Sequence, residues 1–219
     1  MLSLRNDVWA YYFKTRKWYD VIVHGEIPPE RFQHTACVID EKMYVYGGID
    51  SARRQLYLDV LNLRKSCWEK LDEGGQKPCG IRAACSWVHD NKMYIFGGYR
   101  GEYYITTLHR FDPKTLVWHE MKPFGLSGPI GRERHCAVIV GDCVYVFSGL
   151  ASVVSLTGNV GFGCLMEMCD LNVLSYNWTL KNLASIAVLR YQLNFMQSVE
   201  LPVELKIYLN MMIRRNDVL

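Results

Sequence analysis

A repeat of about 50 residues constrains this chain more than any other feature. Trp18, Trp68 and Trp118 stand 50 residues apart. Gly47-Gly48 returns 50 positions on as Gly97-Gly98 and then, altered, as Ser148-Gly149. Met43-Tyr44-Val45-Tyr46 returns as Met93-Tyr94-Ile95-Phe96 and as Val144-Tyr145-Val146-Phe147. Arg31-x-x-His34 aligns with Arg82-x-x-Cys85 and Arg132-x-x-His135. Four markers in one phase over three copies define a supersecondary unit that buries its apolar faces by stacking on copies of itself.

Each unit reads as four short strands. The first follows the Arg-x-x-His, as in His34 to Ile39. A polar turn such as Asp40-Glu41-Lys42 or Asp90-Asn91-Lys92 leads to the second, an aromatic and β-branched run ending in the Gly pair. The third covers Leu56 to Leu61 and Thr107 to Phe111, and the fourth carries the tryptophan, read as a packing element between successive sheets.

Composition narrows the classes. The 219 residues are 50% hydrophobic and 21% charged, with 25 Lys+Arg against 22 Asp+Glu. That balance supports a packed core and argues against disorder. The net charge of +3 gives no support to a nucleic-acid surface, so no direct nucleic-acid partner is expected. Residues 1–20 carry six charged side chains where a signal peptide would need an apolar core. Cys143 to Met166 lacks charge, but its glycines, serines and asparagine fit a strand and loop better than a membrane span. The eight cysteines contain no Cys-x-x-Cys and no paired zinc spacing, so they read as reduced, without metal. The expectation is a soluble protein of the cytoplasm or nucleus.

A period near 50 with Gly-Gly and a distal Trp resembles the kelch repeats of β-propellers. The resemblance covers about residues 7–175 and implies an all-β fold: two strands of one blade (residues 7–18), two regular blades and an irregular third. About three and a half blades form an open arc rather than a closed ring, since propellers close with about four to eight. The beginning in mid-blade reads as a truncated or partial form of a longer propeller. The domain expectation is kelch repeats over 1–176 and a helical tail over 179–214.

In the tail the period of 50 gives way to helical spacing. Thr179 is placed to cap a helix over residues 180–191, in which Leu180, Leu183, Ala184, Ala187 and Tyr191 share a face. A second helix opens at Pro202, with Leu205, Tyr208, Leu209 and Met212 on one face. Thr179-Leu180-x-x-x-Ala184-x-x-x-Val188 resembles the box that docks on elongin C, with Ala184 where the pattern usually has cysteine. Leu201-Pro202-x-x-Leu205-x-x-x-Leu209 resembles the cullin-2 box. Together, following kelch repeats, they resemble the kelch-domain substrate receptors of cullin-2 ubiquitin ligases. That resemblance implies a non-catalytic subunit with elongin B/C and cullin-2 as partners, its propeller binding substrate C-terminal peptides (C-degrons).

Strand alternation gathers the loops after Gly-Gly, the Arg-x-x-His segments and the inter-blade loops on one face. Arg53, Arg54, Arg100 and Arg134, with Tyr103 beside them, are the candidate peptide-binding residues there, because a guanidinium grips a terminal carboxylate through paired hydrogen bonds. Arg31, Arg82 and Arg132, which recur with the repeat, read as braces of the blades. No nucleophile triad, phosphate loop or paired-carboxylate motif appears, and neither an enzymatic activity nor a cofactor is expected. Two alternatives stay open: a stand-alone kelch scaffold for chromatin, cytoskeletal or other proteins, its tail a cap, and a fragment lacking the blades needed for function.

Overall fold

Successive antiparallel sheets, each built from neighbouring strands of the chain, make up the body of the computed structural model, which describes residues 4–101, 103–123, 128–153, 164–177, 179, 184, 188 and 202–216. The first sheet is a hairpin of β1 (Trp9–Tyr12) and β2 (Lys17–Asp20). The first complete blade holds β4 (Phe32–Ile39), β5 (Lys42–Ile49), β6 (Asp59–Asn62) and β7 (Cys67–Glu69), with β3 (His24–Gly25) parallel to β7 on its outer edge. The second repeats this with β9 (Cys85–His89), β10 (Lys92–Phe96), β11 (Leu108–Asp112), β12 (Val117–Met121) and β8 (Gly74–Gly75). The third has β13 (Cys136–Val140), β14 (Cys143–Phe147) and β17 (Leu171–Ser175); β15 (Leu150–Val153) and β16 (Cys164–Glu167) form a separate hairpin.

The four-strand reading therefore holds in the two complete blades, with third strands that start one to three residues later than the sequence indicates. Residues 143–147, 150–153 and 164–166 of the uncharged stretch are strand, and among the described residues no helix is long and apolar enough to cross a membrane. Asp90 and Asn91 both adopt positive φ (47° and 53°), the backbone of a two-residue hairpin turn whose twist matches the strands it joins.

Core lies between the blades. Tyr44, Tyr46 and Val60 of the first complete blade pack on Met93, Ile95, Phe111 and Trp118 of the second. Cys85, Trp87, Tyr94, Phe96 and Leu108 of the second pack on Val144 and Val146 of the third. Trp68 and Trp118 do act as inter-sheet packing, at 5% and 0% exposure, but Trp18, in the first hairpin, is 64% exposed. The difference is positional: among the described residues no sheet packs on the Trp18 side of the first hairpin.

Pairing corrects one repeat marker. Cys85 pairs with Phe96 as Thr35 pairs with Tyr46 and Cys136 with Phe147, so Cys85 is the counterpart of Thr35, not of His34. The same shift applies upstream. The Gly48 N–H donates to the Ile81 carbonyl as the Gly98 N–H donates to that of Arg132, which makes Ile81 the counterpart of Arg132. Arg82 thus stands one position past the bracing site. A helix at Val203–Asn216 ends the described chain, the Pro202 carbonyl accepting from the Leu205 and Lys206 N–H groups.

Candidate functional site

The loop face is ordered by a row of left-handed residues. Gln33, Ala83 and Arg134 occupy one position of the repeat, with φ of 59°, 52° and 57°. The Ala83 N–H donates to the Gln33 carbonyl (2.8 Å) and the Arg134 N–H to the Ala83 carbonyl (2.9 Å), tying the blades together at their inner edges. Glycine is required beside this row: a Cβ on Gly48 would lie 2.7 Å from the Phe32 carbonyl oxygen, and one on Gly98 would lie 2.9 Å from that of Arg82.

Two of the three recurring arginines are braces, as the repeat indicates. Arg31, 7% exposed, donates to the carbonyls of Gly47 and Tyr57 and to the Asp59 carboxylate. Arg132, fully buried, forms two hydrogen bonds to Asp170 (2.6 and 2.8 Å) and donates to the carbonyls of Ser148 and Ile130. The Arg132 guanidinium holds the Asp170 carboxyl below its usual range. The reading of Arg82 as a third brace is corrected. Ile81, 2% exposed, takes that place, and His109 stands across from Ile95 where Asp59 stands across from Val45.

Freed from bracing, Arg82 turns to the loop face. Its guanidinium carbon lies 4.8 Å from the centroid of the Tyr99 ring, and its Nε is buried without a hydrogen-bond partner. Tyr99 packs on Tyr104, ring centroids 4.9 Å apart, and the two pair across the 99–104 loop. Burial, helped by the neighbouring Glu133, raises the Tyr104 hydroxyl above its ordinary range, while Arg134 and Arg82 act in the opposite sense. Two arginines, two tyrosines and one acid therefore surround one spot between the second and third blades. Glu133 is 6% exposed, and its Oε2 is buried without a hydrogen-bond partner. A half-buried guanidinium on an aromatic face suits an anionic group that reaches its accessible edge.

The sequence-derived residues distribute around this spot unevenly. Arg134 belongs to it and is exposed; Arg100 and Tyr103 lie on the adjoining loop, where the Arg100 N–H donates to the Tyr103 carbonyl (3.0 Å), and Tyr103 is 67% exposed. Arg53 is exposed on the preceding blade, with φ of 59°. Arg54 is engaged: its Nε donates to Asp50 Oδ2 (2.7 Å) and its backbone N–H to Oδ1 (2.8 Å), which holds the Asp50 carboxyl low. Arg82 was missed because a one-residue alignment slip hid it among the braces; a buried isoleucine at the preceding position was the available signal.

Of the tail residues, Thr179 and Ala184 are exposed and Val188 is half-buried, with 184 and 188 helical. Leu180 and Leu201 lie outside the described residues, as does most of the 180–191 helix. Pro202 is exposed, Leu205 half-buried and Leu209 buried at 1%. Cys37, Cys67, Cys79, Cys85, Cys136, Cys143 and Cys169 are free thiols, and no metal-holding cluster occurs among the described residues.

Consecutive four-stranded blades with inter-blade tryptophans and left-handed Gly pairs define a kelch propeller segment, and residues 3–149 match the KLHDC2/KLHL20/DRC7 Kelch-repeats domain. The chain belongs to this kelch-repeat family. It is 29% identical to Kelch domain-containing protein 3 of Rattus norvegicus and 28% identical to that of Homo sapiens, in each case over 97% of this chain and 57% of the relative. Kelch domain-containing protein 10 of Xenopus laevis is 30% identical over 67% of this chain and 37% of its own length. The chain thus spans little more than half the length of the first of these relatives. Kelch repeats are in general non-catalytic interaction domains, and this chain is a protein-interaction scaffold of that kind.

Proposed function

We propose that this scaffold is the substrate-recognition subunit of a cullin-2–elongin B/C ubiquitin ligase. The segment carrying Thr179, Leu180, Ala184 and Val188 would engage elongin C, the segment Leu201, Pro202, Leu205 and Leu209 would engage cullin-2, and the loop face would hold a substrate C-terminus. The observation that carries the reading is the reach of the similarity to Kelch domain-containing protein 3. It covers 97% of the chain, so it continues past the repeats through the tail that bears both boxes. Arg82 and Arg134 join Arg53, Arg100 and Tyr103 as the peptide-binding set, with Arg54 least available because Asp50 occupies it.

The test is co-expression with elongin B/C and the N-terminal part of cullin-2, followed by size-exclusion chromatography. Wild type is expected to co-elute with both. Leu180→Ser is expected to lose elongin, and Pro202→Ala with Leu205→Ser to lose cullin-2 alone. A folded wild-type chain that elutes without either partner sinks the reading. In the complex, Arg82→Ala should weaken binding of a peptide with a free C-terminus at least tenfold and leave its amidated form unchanged.

A second reading has its own support. Leu209 is 1% exposed, so this position of the C-terminal helix is already covered within its own chain. On that reading the protein is a stand-alone scaffold, and Leu209→Ser unfolds it without altering any ligase assembly.

A further inference from the structure

Where the third blade hands over to the tail, one position of the repeat behaves unlike its counterparts. Met43, Met93 and Val144 pair with Leu61, Phe111 and Leu174, which places Leu63, Pro113 and Tyr176 at one position just past the third strand. Backbone ties recur there. The Leu63 N–H donates to the Glu41 carbonyl and the Tyr176 N–H to that of Asp142, both at 2.8 Å. Side-chain ties recur one residue on, from Arg64 to Glu41 (2.6 Å) and from Asn177 to Asp142 (2.7 Å). The side chains at the position itself diverge. Leu63 is 43% exposed, whereas Tyr176 reaches across to the second blade. The Trp87 indole N–H donates to the Tyr176 hydroxyl (2.8 Å), the Tyr176 ring lies flat on His89 with centroids 3.7 Å apart, and it meets Tyr94 edge-on at 5.3 Å.

The crossing changes which residue packs on the junction from this turn. Between the first and second complete blades it is Leu116, three residues past Pro113. Between the second and third it is Tyr176 itself, and Thr179, three residues further on, is exposed and lies in neither strand nor helix. An aromatic ring stacked on one face and hydrogen-bonded at its hydroxyl fixes both the position and the rotation of the backbone that carries it. The Ser175 hydroxyl donates to the Asn177 carbonyl (3.1 Å), so residues 175–177 are all tied down just before Thr179.

We infer that Tyr176 is the positioning residue for the elongin C contact: by seating residues 175–177 on the junction of the second and third blades, it fixes where the segment from Thr179 leaves the propeller. The inference rests on the ligase reading above. Its basis is entropic, since every residue fixed before association is one that association need not order. Tyr176 touches no partner in this role. It acts through the seat of the segment, so its loss weakens affinity without removing a contact residue.

Biolayer interferometry of the full chain on immobilised elongin B/C tests this with two variants. Tyr176→Leu installs the residue of the first complete blade, and Tyr176→Phe keeps the ring on His89 and Tyr94 while losing the hydroxyl. Tyr176→Leu should bind elongin B/C about tenfold more weakly than wild type, and Tyr176→Phe should stay within about threefold. Affinities are taken on chain that keeps its near-ultraviolet circular dichroism, because a merely structural role would lower the folded fraction and leave the affinity of folded molecules unchanged. A folded Tyr176→Leu chain with wild-type affinity overturns the inference and leaves the ligase reading standing. A folded wild type that does not bind removes both. Should Tyr176→Leu fail to fold, wild type alone decides. By linkage, a seat that favours elongin binding is itself tightened by it, so deuterium exchange at the Trp87 indole N–H should slow in the complex. An unchanged exchange rate there would overturn the inference.

Discussion

The first and second complete blades meet one structural demand with different chemistry. In the first, the buried Arg31 guanidinium draws the Gly47 and Tyr57 carbonyls and the Asp59 carboxylate together. In the second, Ile81 and His109 occupy the two corresponding positions, and no guanidinium is needed. A partly buried ion pair and an uncharged isoleucine–histidine pair thus serve at one site of one repeat, as expected when desolvation offsets most of the Coulombic gain. The change frees the blade from needing a brace, and the nearby Arg82 faces the loop surface instead.

The comparison can be broken most forcefully at Asp59. Asp59→Ala leaves a buried guanidinium without its carboxylate and should cost about 4 kcal/mol, read from the urea midpoint. The double change Arg31→Ile with Asp59→His installs the second blade's pair in the first and should recover most of that loss. A double variant no more stable than Asp59→Ala would mean that the ion pair does something in the first blade that the isoleucine–histidine pair cannot.

The next test compares the two junctions. Between the first and second complete blades lie aromatic rings, Tyr46 on Trp118 at 5.3 Å, the Tyr46 hydroxyl donating to the Pro78 carbonyl. Between the second and third, Cys85 Sγ lies 2.8 Å from His135 Nε2, and His135 Nδ1 is buried without a partner. Burial, with help from Arg132, lowers the His135 imidazole to about 4, and burial pushes the Cys85 thiol up to about 12, so both are neutral in the fold. The unfolded chain takes up a proton near pH 6.5 that the folded one refuses until about 4. Stability is therefore complete above pH 6.5 and falls between there and pH 4, by roughly 3 kcal/mol. His135→Gln should flatten this part of the pH profile in urea titrations. An unchanged slope in the variant would assign the loss to other groups, such as the similarly lowered His34 and His109.

Much of this was legible in the residue pattern because the period fixes what repeats. The strands, the Gly pairs, the bracing roles of Arg31 and Arg132 and the packing of Trp68 and Trp118 follow from spacing and side-chain size. What the period hides is a position whose neighbours differ. Trp18 has the spacing of Trp118, but no sheet among the described residues packs on it, so one residue type is buried at one place and exposed at another. Arg82 was obscured because a spacing of 50 or 51 fits its Arg-x-x pattern equally well, and only strand pairing decides between them. In the tail no period exists to help, and the buried state of Leu209 depends on packing that helical spacing does not specify.

The smallest test concerns the altered third Gly pair. Ser148 and Gly149 keep the left-handed backbone of Gly97 and Gly98, with φ of 65° and 110° against 69° and 97°. A side chain is excluded at Gly97 by the following blade, where a Cβ would lie 2.7 Å from a His135 ring carbon and 2.8 Å from the Arg132 carbonyl oxygen. At Ser148, in the last blade of the arc, no following blade supplies those atoms among the described residues, so only the backbone strain remains. Gly97→Ser combines strain with overlap and should cost about 2 kcal/mol. Ser148→Gly relieves about 1 kcal/mol of left-handed strain against a smaller entropic loss in the unfolded chain, a net gain of about 0.5 kcal/mol. Urea midpoints of the two variants read the asymmetry directly. Equal and opposite shifts would mean that strain alone selects glycine here, and that the neighbouring blade has no part in it.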